Sequence, residues 1–261
     1  FEHLGDKVSI HLNDTHPVLA IPELMRVLVD EHRLPWDQAW AQCRRIFSYT
    51  NHTLMHEALE TWPVEMFARV LPRHLRIIFD INARFLAELS EGRAGALSKE
   101  QVAAEPGLIR RLSLVDEGGE RRIRMAYLAV LASHSVNGVS ALHSDLMVQS
   151  IFADHARLWP ERFNNKTNGV TPRRWLAHAN PGLAELLDQR IGRGWRRDLS
   201  QLEGLRAAPE IPGFLAAFRR VKRQNKERLA TLIAKRVGVA VNVDAMFDVQ
   251  VKRIHEYKRQ L

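Results

Sequence analysis

Residues 7–14, KVSIHLND, alternate apolar and polar side chains and stop on turn-formers, which predicts a strand. PVLAIPELMRVLVDEH then takes up helical spacing. Asp14 or Thr15 is placed to cap this helix, and Pro22 confines its start to nearby positions. LPWDQAWAQCRRIF is a second amphipathic helix with Pro35 near its start, followed by the short polar stretch SYTNHT. A longer helical run, PVEMFARVLPRHLRIIFDINARFLAEL, is kinked or divided at Pro72. Residues 91–124 mix Gly, Ser and charge with weak periodicity and read as a surface excursion. RMAYLAVLASHSVNGVSALHSDLM is apolar and rich in small residues, with Gly138 marking a turn inside it.

Beyond Pro160 the texture changes. ERFNNKTNGVTPRRWL is polar, with Asn168-Gly169 and Thr171-Pro172 as loop markers and a helix from about Arg173. GFLAAFRRVKRQNKERLATLIAKRVG is a basic amphipathic helix that stops at Gly238. MFDVQVKRI alternates as a strand and leads into HEYKRQL as a helix start. Strands interleaved with helices predict an α/β architecture, with a domain boundary near residues 160–168.

Composition narrows the class. The chain is 46% hydrophobic and 26% charged, as soluble globular proteins are, and no apolar run reaches the length of a membrane span. Its single cysteine, Cys43, excludes an internal disulfide and, with no export signal at the start, favours a reducing cytoplasm. The chain opens on Phe1 and ends at Gln260-Leu261 inside a helical pattern, so a segment of a longer protein is expected. Charge is uneven: residues 1–160 hold 17 Lys and Arg against 20 Asp and Glu, whereas residues 161–261 hold 21 against 10. The excess in the second part suggests an anionic partner, although composition alone favours a solvated arginine-rich surface.

Two stretches have the strand–turn–helix form at which open α/β sheets bind ligands. HLNDTHP sets Asn13, Asp14, Thr15 and His16 at one strand's end, and VQVKRIHEY sets Lys252, Arg253 and His255 at another. A helix start already offers free N–H groups and partial positive charge. Arg253 and Lys258 would complete a site for a compact dianion such as phosphate, through a bidentate fork and a mobile point charge. Taken alone, such a basic run is solvated surface roughly two times in three. Asp14 in isolation reads better as a helix cap, and Tyr257 as packing. The histidines show no metal-binding spacing; His52 and His56 lie four apart without a third ligand nearby, so no metal is expected. A phosphate loop, a nucleophile elbow and a spaced pair of catalytic carboxylates are all missing from the motifs.

Read together, HLNDTHPVLAIPELMR, LPWDQAW, YTNHT, VNGVS, NKTNGVTPRRWL, NPGLAELL and MFDVQVKRIHEYKRQL resemble the glycogen, starch and maltodextrin phosphorylase family. The resemblance runs in the family's order over nearly the whole chain, outside residues 91–120 and 193–215. It implies a GT-B arrangement, two Rossmann-like domains facing each other across a cleft. Residues 1–165 would be the C-terminal part of the first domain and residues 166–261 the start of the second, cofactor-binding one. It implies reversible transfer of the terminal α-1,4-linked glucose of a glucan to inorganic phosphate, giving glucose 1-phosphate with retained configuration. The implied cofactor is pyridoxal 5′-phosphate, whose attachment lysine belongs to the family's downstream sequence, so the segment alone is expected to be silent. By resemblance Arg253 and Lys258 face the substrate phosphate and Lys252 lies near the cofactor phosphate. Tyr257 reaches sugar hydroxyls; His52 and Asn168 hold the glucosyl unit; Asp14 orients His52; His16 serves the acceptor-side sugars. The implied partners are glycogen, starch or maltodextrin, phosphate and a second copy of the full-length protein, with neither nucleic acid nor membrane. The competing reading, nucleic-acid binding, rests on Arg173-Arg174-Trp175 and Trp195-Arg196-Arg197, which set aromatics beside cations. It leaves the TNG and TNHT stretches without a role.

Overall fold

Seven strands are found among the described residues: β1 (Ile10–Asn13), β2 (Phe47–Thr50), β3 (Thr61–Pro63), β4 (Val115–Asp116), β5 (Arg122–Arg124), β6 (Ser135–Gly138) and β7 (Phe163–Asn165). The computed structural model describes Phe1 and residues 3–249. β1, β2, β6 and β7 form one sheet in that order, every pair parallel, and β3, β5 and β4 form a small antiparallel sheet. Parallel neighbours cannot be joined by a tight turn, so each step across the larger sheet is bridged by helices. Ala20–Arg26 and Trp36–Ile46 link β1 to β2, Met125–Ala132 precedes β6, and Ala141–Gln149 with Ala153–Leu158 links β6 to β7. The result is the predicted mixed α/β architecture.

Several expectations are refined. The first strand is limited to β1, because residues 4–7 wind into a helical turn. The helix after it begins at Ala20, not at Asp14 or Thr15: Asp14 takes a positive φ of 66°, unlike the extended backbone of a helix cap. Pro72 divides its helical run outright into Val64–Val70 and Pro72–Ser90, with Leu71 leaving helical geometry between them. Proline fits at the first helical position because its missing N–H would be unbonded there anyway. SYTNHT conceals β2, whose Phe47, Tyr49 and Thr50 are buried. A strand covered on both faces need not alternate, so the periodic signal is weak. Residues 91–124 are not a surface excursion. They hold two short helices and two strands, and Val102, Leu108, Leu112, Leu114 and Ile123 enter the core.

The chain divides into two compact units, Phe1–Asn168 and Gly169–Leu261. The core of the first gathers Leu12, Tyr49 and Val136 from the sheet with Ile77, Ile78, Ile81 and Leu128 from the helices. Cys43 is sealed within it, and burial pushes its thiol up to about 12. His155 is also buried, packed edge-on against Tyr127 at 4.5 Å and Phe152 at 5.8 Å. In the second unit Arg173–His178 forms a π-helical turn, Asn180 caps Pro181–Ile191 through the Leu183 N–H, and Phe214–Val237 ends at Gly238. Gly238 adopts φ 75°, the left-handed closure that glycine alone makes without strain. Ala184, Leu187 and the fully buried Trp195 make this unit's core. Of the strand predicted in MFDVQVKRI, residues 246–249 carry no regular structure and the remainder lies outside the described residues.

Burial holds the His155 imidazole down at about 3, while an unfolded histidine titrates near 6.5. The folded state therefore binds fewer protons than the unfolded one between these values. Stability is full above about pH 6.5 and drains away as the pH falls toward 3. Urea unfolding measured from pH 7 to pH 4 is expected to show this acid loss, and His155→Leu is expected to flatten it.

Candidate functional site

The carboxyl ends of β1, β2, β6 and β7 bring four polar loops to one edge of the sheet. They are Asn13-Asp14-Thr15-His16, Asn51-His52-Thr53, Gly138-Val139-Ser140 and Asn165-Lys166-Thr167-Asn168. Backbone hydrogen bonds continue past the strands and fix these loops: Asp14 N–H donates to Thr50 O, Asn51 N–H to Asn137 O, Lys166 N–H to Gly138 O and Asn168 N–H to Val139 O, all at 2.9–3.1 Å.

Below this edge runs a polar relay, buried at Thr50, Asn51 and Asn137. Thr50 donates its hydroxyl hydrogen to Asn137 Oδ1 at 2.8 Å, and the Asn137 amide donates to Gly138 O at 2.8 Å. Since the Thr50 hydrogen is committed, its oxygen accepts from His11 Nε2 at 2.5 Å, and His11 Nδ1 accepts from Ser48 at 2.9 Å. Asn51, fully buried, donates to the Tyr49 hydroxyl at 3.2 Å and accepts from the Thr53 N–H at 3.2 Å. Buried polar groups satisfied in this way stiffen the strand ends.

Above the relay are the side chains open to a ligand. His52 is exposed, and its Nε2–H donates to Asn13 Oδ1 at 2.6 Å, leaving Nδ1 as an acceptor. Asp14 accepts from the Thr15 N–H at 2.8 Å, so it tightens its own turn. Thr15, buried, donates to Glu60 Oε2 at 2.5 Å, and Glu60 Oε1 lies 3.4 Å from His16 Nδ1. The Val139 N–H donates to His143 Nδ1 at 3.2 Å. Burial, and then the neighbouring His52, push the His143 pKa down, which favours a neutral ring. Carboxamides, hydroxyls and imidazoles dominate this set, a mixture of donors and acceptors suited to a dehydrated polyhydroxyl compound.

Asp14, His16, His52 and Asn168 all belong to these loops, as their positions at strand ends imply. The side chain hydrogen-bonded to His52 Nε2 is that of Asn13, while the Asp14 carboxylate accepts from the Thr15 N–H. Lys252, Arg253, Tyr257 and Lys258 lie outside the described residues. Sequence reasoning gave no role to Glu60, Asn137 or His143. Asn137 has one visible signal, its place just before Gly138 at a turn, and like Asn13 and Asn51 it stands at the carboxyl end of a strand. Glu60 reaches Thr15 from 45 residues away, a distance no local pattern encodes.

A family model described as carbohydrate phosphorylase matches residues 1–261. The chain is 56% identical over 260 residues to a glycogen phosphorylase of Haemophilus influenzae, which covers 100% of the chain and 31% of that relative. It is 49% identical over 261 residues to the brain form of glycogen phosphorylase of Mus musculus, again across 100% of the chain and 30% of the relative. A glycogen phosphorylase of Synechocystis is 48% identical over 259 residues, 99% of the chain and 29% of that relative. The chain thus spans less than a third of the length of these relatives.

Gly138 has no room for a side chain. A Cβ there would stand 2.4 Å from Ser144 Oγ, 2.6 Å from His143 Nδ1 and 2.9 Å from Ser144 Cα. The last is backbone and cannot rotate aside. Gly138→Ala is expected to cost about 1–3 kcal/mol in unfolding free energy, the range for overpacking. Chemical denaturation against the parent protein measures it.

Proposed function

The chain belongs to the carbohydrate phosphorylase family, and on that premise we propose that it is the central segment of an α-1,4-glucan phosphorylase. The full-length protein would transfer the terminal glucose of glycogen, starch or maltodextrin to inorganic phosphate, reversibly and with retained configuration. Residues 1–165 would close its first domain and residues 166–261 open its second in a GT-B arrangement. The segment by itself would be silent, the whole protein a cytoplasmic homodimer. No helix among the described residues is long and apolar enough to cross a membrane.

The observation that carries this reading is identity of 48–56% to glycogen phosphorylases along essentially the entire chain. The sheet edge supports it chemically. A sugar leaving water needs each hydroxyl paired, and the edge offers such partners on a backbone fixed by the relay below. His52 would hold the glucosyl unit through its free Nδ1 and its carbonyl, with Asn13 fixing the ring that does so. Asn168 would bind the same unit from a loop tied to Val139. Asp14 and His16 are assigned to the sugar side, His16 toward the acceptor end, where Glu60 steadies it.

The transferred group requires charge. Arg253 and Lys258 are assigned to the substrate phosphate, Lys252 and Lys258 to the cofactor phosphate, and Tyr257 to sugar hydroxyls. Two phosphate groups at close range repel unless cations surround them, and fixed cations stabilise charge that develops in the transition state. The assigned cofactor, pyridoxal 5′-phosphate, would supply proton exchange through its phosphate. The described edge, with its carboxamides and hydroxyls, suits the sugar, and the cations assigned to the cofactor lie outside the described residues.

The full-length protein, incubated with glycogen and phosphate, is expected to release glucose 1-phosphate, measured by a coupled enzymatic assay. Free glucose as the product would overturn the reading. Arg253→Ala is expected to lower kcat/KM at least about a hundredfold, on the scale of a lost transition-state donor, and to raise the KM for phosphate. An unchanged phosphate KM would remove Arg253 from its role.

A further inference from the structure

Four arginines of the second unit, Arg173, Arg193, Arg196 and Arg197, line one cleft together with His178 and Ala177, enclosing about 710 Å³. Arg173, Arg196 and Arg197 come from the RRW and WRR stretches that, as sequence, suggest aromatic stacking, and Arg193 lies two residues before Trp195. The structure separates the two tryptophans. Trp175 is 68% exposed, but Trp195 is completely buried and offers no face to a base.

Trp195 instead acts as an anchor. Its indole N–H donates to Asp188 Oδ1 at 3.1 Å. Asp188 Oδ2 accepts from Arg196 Nη2 at 2.5 Å and lies 3.4 Å from Arg193 Nε. The Arg196 guanidinium also sits 5.5 Å from the Trp195 ring centroid, a cation–π contact that restrains it further. The turn Gly194–Arg196 is thereby pinned from below, and its flanking cations are presented outward. Arg173 is fixed across the cleft by donating Nη1–H to the Arg196 carbonyl at 3.2 Å.

The charge balance is one-sided. Asp188 is the carboxylate paired with these arginines among the described residues, and it is shared between Arg193 and Arg196. Glu185 borders only the adjoining hollow. Arg197 has no ion-pair partner among the described residues, and Arg196 Nε is buried without an acceptor. A buried unpaired donor on a charged group is costly, and gathered guanidiniums repel. An oxyanion in the cleft offsets that repulsion, and the planar fork of arginine matches phosphate oxygens.

We propose that this cleft binds a phosphate group, either inorganic or carried as a monoester of a small molecule. None of its residues is among those assigned above to glucan, substrate phosphate or cofactor. Its volume falls within the range of small-ligand sites, and with Trp195 buried a nucleic-acid strand is the weaker candidate.

The test is calorimetric titration of the full-length protein with inorganic phosphate and with phenyl phosphate, in wild type and in Arg173→Ala/Arg197→Ala. Both residues are exposed and neither holds Asp188. A charge-matched control, Arg206→Ala/Arg236→Ala, removes two exposed arginines elsewhere. One binding component is expected to weaken at least tenfold in the cleft variant and to persist in the control. Equal affinity for the two probes assigns the site to the phosphate alone, and tighter phenyl phosphate assigns it to an ester; either result supports the proposal. Failure of wild type to bind both probes would overturn it. So would an isotherm unchanged in the cleft variant or weakened equally in the control. A twelve-residue single-stranded oligonucleotide that binds tenfold more tightly than phenyl phosphate, through the same arginines, would overturn the small-ligand assignment.

Discussion

The hydrogen bond from the buried Thr50 hydroxyl to the Asn137 carboxamide joins the ends of β2 and β6, and the candidate site grows from that joint. A parallel sheet delivers every strand's carboxyl end to the same edge, where ladder hydrogen bonding stops and backbone groups need other partners. Here side-chain amides and hydroxyls serve that need. Asn137 satisfies Gly138, Asn51 satisfies Thr53, and the loops above inherit a rigid floor. Rigidity would matter for the proposed sugar site, because a weakly bound hydroxyl repays little of the entropy lost in ordering a mobile loop. Gly138 belongs to the same constraint. The helix beginning at Ala141 lies so close to the end of β6 that a methyl group would force it away.

The elements legible in the sequence were those whose signal is local. The amphipathic helix at Trp36–Ile46, the proline break before Pro72 and the glycine stop at Gly238 each follow from a few neighbouring residues. β2 was hidden because its polar Ser48 and Thr50 are paired by His11, a partner from another strand. The stretch 91–124 was misjudged for a related reason: its apolar residues are spaced irregularly but converge on a core built largely by other segments. Within the site, His52 gains its role from the family resemblance alone, because no local spacing marks it. Asn13 is legible as a residue at a strand's end, but that its carboxamide reaches the His52 ring, 39 residues on, is a contact no local pattern encodes.

The second unit solves a different problem with few apolar residues. Its core is small, and Trp195 is the largest side chain buried there. Placing a carboxylate against the indole N–H lets the same residue, Asp188, tie two arginines to that core. Packing and surface charge are therefore not independent here: the ring that stabilises the fold also sets where the cations point. The strong positive balance of residues 161–261, which composition alone assigns to plain solvation, is in part organised.

Cys43, the sole thiol of this chain, sits fully enclosed on the Trp36–Ile46 helix, and its burial keeps it in the unreactive protonated form. A maleimide can therefore label it only during moments when that helix detaches from the elements packed against it. The rate of labelling would clock those openings, so the molecule carries an intrinsic gauge of the breathing of its own crossover.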